Sequence, residues 1–65
     1  MNVLKSFTNP KTNMQSQVRV KRDGRFAVAL IDLDSGREVP YQRVWTSEDL
    51  ASDYARWAVD YELRL

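Results

Sequence analysis

The chain has 65 residues, with 10 Lys+Arg against 9 Asp+Glu, and it contains neither His nor Cys. A length of this order allows one small domain, and without cysteine neither disulfides nor a zinc site can staple it, so one compact core must hold it. Lacking imidazole and thiolate, catalysis would fall on carboxylates, hydroxyls and lysines alone; the expectation is a binding protein without a cofactor, not an enzyme. The net charge of +1 hides an asymmetry: residues 1–25 carry six cations against the single acid Asp23, while residues 26–65 carry four cations against eight acids. Such a division speaks about partners rather than about fold.

In chain order, Val3, Lys5 and Phe7 alternate weakly with Leu4 and Ser6, which makes residues 2–7 a candidate fourth strand. Residues 8–16 are polar, include Pro10 and read as a loop. Val18-Arg19-Val20-Lys21 alternates with period 2 and leads into Asp23-Gly24, a dipeptide suited to positive φ in a tight hairpin. Over residues 25–33 both faces are apolar or small, Phe26, Val28 and Leu30 on one and Ala27, Ala29, Ile31 and Leu33 on the other, the mark of a central strand. Asp34-Ser35-Gly36 supplies the next turn. A third strand follows, in which Val39, Tyr41 and Trp45 interleave with Pro40, Gln42 and Val44; Pro40 lacks a ladder donor and places it at an edge or gives it an unpaired stretch.

Thr46 or Ser47 can cap a helix, Thr46 and Asp49 having the spacing of a capping box. Leu50, Tyr54, Trp57, Ala58 and Tyr61 then form one apolar stripe, expected to lie across the sheet with Trp57 in the core and Tyr41 and Trp45 buried or half-buried. The predicted fold is α+β: a three- to four-stranded antiparallel sheet packed against one C-terminal helix.

Few constellations carry chemistry. Asp32, Asp34 and Glu38 flank Gly36, but strand and turn surroundings and the wrong spacing set them apart from a cation-binding loop. Asp49 and Asp53 stand at helical spacing i, i+4 and read as an acidic helix edge. Arg19, Lys21, Arg22 and Arg25 bracket the first hairpin turn; a basic ribbon of this kind tracks phosphates, or simply guards a solvated edge. The opening residues lack the apolar core of a signal peptide, and the longest apolar run, residues 26–31, cannot span a bilayer, so a cytoplasmic protein with no membrane partner is expected.

Residues 18–57 resemble the plant ethylene-response-factor type of DNA-binding domain in layout: a basic first strand, Gly24-Arg25-Phe26-Ala27, then Asp32, Gly36, Val39, the Thr46-to-Glu48 helix start and Tyr54. The phage integrase arm-binding domains share this architecture. Of the family's DNA-reading positions, Arg19 and Lys21 match two arginines, whereas Asp23, Ile31, Glu38 and Pro40 replace a tryptophan, an arginine, an arginine and a tryptophan. Losing two arginines removes base contacts worth about 1–3 kcal/mol each.

Over most of its length the chain also resembles the small type I-F anti-CRISPR proteins of phages, in the alternating Val3-Leu4-Lys5 opening, the two glycine turns about a dozen residues apart and the Ser47-Glu48 helix start followed by Leu50 and aromatics. This resemblance implies a phage-encoded protein, acting in the host cytoplasm as a monomer or weak dimer, that binds a protein subunit of a type I CRISPR RNA-guided surveillance complex and blocks target DNA recognition. Asp32 matches an acidic contact residue of the family, while Ser6 and Lys21 stand where it has tyrosines. On this reading Asp32, Asp34, Glu38, Glu48, Asp49 and Asp53 occupy sites meant for phosphates, and Arg19, Lys21, Arg22 and Arg25 meet acidic protein surface. The alternative is a sheet-type DNA-binding module that uses the basic first hairpin.

Overall fold

A computed structural model describes residues 2–39 and 43–61. Its elements are β1 (Asn2–Asn9), β2 (Met14–Val20), β3 (Phe26–Asp32), β4 (Glu38–Val39), β5 (Val44–Trp45) and α1 (Glu48–Tyr61). The sheet is antiparallel throughout in the order β1-β2-β3, and both β4 and β5 pair with β3. The α+β expectation of a sheet carrying one helix near the C-terminus is therefore met.

Residues 8–16, expected as a loop, are mostly strand. Thr8 pairs with Gln15 and Phe7 with Ser16, leaving only residues 10–13 as the turn. The alternation in β2 runs through polar residues: Met14, Ser16 and Val18 are buried while Gln15, Gln17 and Arg19 face the open side. Asn13 adopts φ 56° in the turn, where asparagine tolerates the left-handed region, and its amide N–H donates to the Asn9 carbonyl at 2.8 Å.

The β2–β3 hairpin closes with Gly24 N–H donating to the Lys21 carbonyl and Lys21 N–H donating to the Arg25 carbonyl. Gly24 has φ 86°, and Asp23 is not in that region. The turn is thus of the kind in which only the glycine is left-handed and a bulge follows it.

The third strand is broken. Leu30 pairs with Val39 and Phe26 with Trp45. Four residues separate Val39 from Val44 where two separate Leu30 from Ala27, so β4 and β5 are out of register by two and cannot form one ladder. Pro40, Tyr41 and Gln42, and with them the expectations of an edge proline and a buried Tyr41, lie outside the described residues.

Helix α1 begins one residue after Ser47, whose hydroxyl accepts a bond from the Leu50 N–H at 3.4 Å; Ser47 rather than Thr46 is the cap. The helix face turned to the sheet also differs from expectation. Ala51, Ser52, Ala55, Ala58 and Val59 are buried, the three alanines against Val18, Val28 and Leu30, whereas Leu50 is 57% and Trp57 47% exposed. Small side chains let the helix backbone approach closely enough for the buried Ser16 hydroxyl to donate to the Ala55 carbonyl at 2.7 Å. Bulky residues at 50 and 57 would hold the helix away, so they are displaced to its flank. Burying Val18, Val28 and Leu30 contributes about 1.5–3 kcal/mol apiece, and Phe7, Phe26, Trp45 and Tyr54 close the margins of this core.

Candidate functional site

The ten charged residues singled out from sequence do not form one surface. Arg19 rises from the open face of β2, its guanidinium donating to the Gln17 side-chain oxygen and pairing with Glu38 of β4 at 2.5 Å. To reach Glu38 it passes beyond its own cross-strand partner Ala27, and the small side chains of Ala27 and Ala29 leave room for it. Gln17 donates in turn to Gln15 and Gln15 to Thr8, so the open face is a chain of side-chain hydrogen bonds from β1 to β4. Arg19 and Glu38, assigned opposite roles in the sequence reading, neutralise one another.

At the hairpin tip Arg25 pairs with Asp23 at 2.7 Å, and Asp23 also accepts from the Arg25 backbone N–H. The side-chain bond from Arg25, then the backbone bond, hold the Asp23 carboxyl below its ordinary range, and the same contact raises Arg25. Only Lys21 and Arg22 of the basic group lack a carboxylate partner among the described residues.

Asp32 and Asp34 lie at the opposite end of β3, about 23 Å away at the usual strand rise. Their carboxylates serve the turn: Asp32 accepts from the Asp34 N–H, and Asp34 accepts from the Asn13 side chain, tying the β3–β4 turn to the β1–β2 turn. Glu48 faces Lys5 of β1 at 3.7 Å.

Asp49 and Asp53 stand apart from these arrangements. With Asp60 they occupy positions i, i+4 and i+11 of α1, so the three carboxylates fall on one exposed stripe, which Arg56 shares at i+7. Asp60 accepts from the Asn9 side chain at 3.2 Å; Asp49 and Asp53 have no ion-pair partner among the described residues. Directly beside this stripe runs a second one, Leu50, Tyr54 and Trp57 at i, i+4 and i+7. Tyr54 leans on Trp45 of β5 with ring centroids 4.8 Å apart, Trp57 meets Tyr54 at 5.8 Å, and the Arg43 guanidinium lies over the Tyr54 ring at 5.5 Å. On the β1 side Arg56 covers Phe7 at 5.4 Å.

The candidate site is therefore a flank of α1: a row of carboxylates next to a row of exposed apolar and aromatic side chains. Sequence reasoning found Asp49 and Asp53 and missed Leu50, Trp57 and Asp60. The missed signal is that Ala51, Ala55, Ala58 and Val59 make a second stripe with the same helical spacing as the aromatic one. No group of three or more potential metal ligands occurs among the described residues, and none of their helices is long and apolar enough to cross a membrane. No protein-family model, curated protein or solved structure matches the chain, so the two likenesses drawn from sequence rest on residue patterns alone.

Proposed function

We propose that the protein is a non-enzymatic inhibitor that binds a cationic protein surface through the acidic flank of α1, the surface being the DNA-binding channel of a type I CRISPR RNA-guided complex. The observation that carries this reading is the Asp49, Asp53 and Asp60 stripe, three carboxylates on one exposed face with two of them unpaired among the described residues. Channels that hold nucleic acid are lined with Lys and Arg, and a rigid row of carboxylates competes for those side chains by the attraction that binds phosphates. The specific partner comes from the resemblance to anti-CRISPR proteins, not from the geometry.

The DNA-binding alternative draws on Lys21 and Arg22 at the hairpin tip. With Arg19 and Arg25 already paired, two free cations neutralise about two phosphates, giving a salt slope near −1.8 and weak binding. Co-migration of the protein with purified type I surveillance complexes on a sizing column tests the first reading, and the expected result is stoichiometric binding at micromolar concentration that weakens with salt. Absence of binding, with retardation of duplex DNA at low salt, would replace it with the second.

A further inference from the structure

We infer that the Leu50–Tyr54–Trp57 ridge docks an amphipathic, Lys/Arg-rich helix of a partner protein, packed lengthwise on α1 with its apolar side chains on the ridge and its cations on the carboxylate row. This deepens the proposed function and rests on its reading of the α1 flank as the contact surface.

The spacing i, i+4, i+7 is the one with which a helix presents anchors to an apolar partner. Leu50 and Trp57 stand about 10 Å apart along the axis, with Tyr54 between them held by Trp45, so the middle of the ridge is fixed by the core while its two ends project. Trp is enriched among interface anchors, and the Trp57 ring is held on one side by Tyr54 while nearly half of it stays exposed.

Charge selects the occupant. Asp49, Asp53 and Asp60 run alongside the ridge, one residue round the helix from Leu50 and Tyr54 in the first two cases. A second copy docked here would oppose two net-acidic rows, and nucleic acid or an anionic membrane would oppose the carboxylates to phosphates. Arg56 stands in the row between Asp53 and Asp60 with its guanidinium drawn over Phe7, and Arg43 lies over Tyr54, so the row carries three carboxylates against one cation and stays net acidic. A partner apolar in the middle and cationic at its rim satisfies both rows together. The short ridge predicts a micromolar contact of the transient class rather than an obligate one.

The probe is the synthetic helical peptide LKKLLKLLKKLLKL, compared with its equally charged, non-apolar counterpart QKKQQKQQKKQQKQ, each fluorescently labelled and titrated with the intact protein by anisotropy. The expected result is micromolar binding of the Leu/Lys peptide and at least tenfold weaker binding of the Gln/Lys peptide. Trp57→Ala and Leu50→Ala, made separately so that a folding defect in one leaves the other informative, each weaken the first by about tenfold, and Asp49→Asn with Asp53→Asn reduces its salt dependence. Equal binding of the two peptides, no binding of either, wild-type affinity in both apolar variants, or self-association that Trp57→Ala abolishes would overturn the inference. A protein that binds the Leu/Lys peptide but no surveillance complex loses the proposed partner and keeps the ridge; one that binds the complex but ignores the peptide keeps the partner and loses the ridge.

Discussion

The Ser16 hydroxyl on β2 donates a 2.7 Å hydrogen bond to the Ala55 carbonyl on α1, with both residues fully buried. This contact fixes how closely the helix lies on the sheet, and so which residues of α1 are turned outward. Replacing Ser16 by Ala removes the bond and should lower stability by about 1 kcal/mol in urea unfolding. Ala55→Leu is the stronger test: forcing a large side chain into the closest approach should cost about 1–3 kcal/mol, and no loss would mean that the helix does not sit on its alanine stripe.

Gly24 at φ 86° has nothing within 4 Å of the position a Cβ would take, so a substitution there is opposed by backbone conformation alone. Gly24→Ala is expected to cost roughly 1–2 kcal/mol, and Gly24→Asn less, because asparagine tolerates the left-handed region. Equal losses in thermal unfolding would contradict this turn geometry.

Arg19 and Glu38 pair on a solvent-facing sheet, and their coupling in a double-mutant cycle should be about 0.2–1 kcal/mol and shrink with added salt. Neutralising Arg19 should leave any residual affinity for DNA unchanged, since its charge is already answered; a marked drop would restore the basic ribbon as a DNA contact.

The Asp23 carboxyl is held below its ordinary range by the bonds from Arg25. A depressed carboxylate stabilises the fold above the unfolded-state pKa, and that contribution disappears as pH falls through the folded value. In acid titrations followed by circular dichroism, Asp23→Asn should therefore be slightly less stable than the wild type at neutral pH and converge with it as pH falls below the carboxylate range, so that its own acid sensitivity is flatter. Unaltered acid sensitivity would mean that the contact is not held in solution.

The α+β class was legible because its signals are local: period-2 alternation from Val18 through Ile31, glycines where two turns need positive φ, and a cap before a run at helical spacing. The extent of β1 and β2 was hidden because Thr8, Gln15 and Ser16 are polar on both faces, and the need for a buried Ser16 hydroxyl arises only when Ala55 lies above it. The helix face is not legible because size does not decide burial here: Leu50 and Trp57 are much larger than Ala51 and Ala55, yet close packing on a sheet selects the small residues. Equally invisible was the pairing of Arg19 with Glu38, which joins strands separated by the whole of β3 and turns two candidate contact residues into partners of each other.

Competition between the acidic flank of α1 and DNA for a cationic protein surface is read out by hybridisation of labelled target duplex to a purified type I surveillance complex in the presence of the protein. Stoichiometric block by the wild-type protein is expected, relieved by Asp49→Asn with Asp53→Asn and by Trp57→Ala, and left intact when Lys21 and Arg22 are neutralised. Full hybridisation at saturating protein, or a block that depends on Lys21 and Arg22 and ignores the helix, would contradict it.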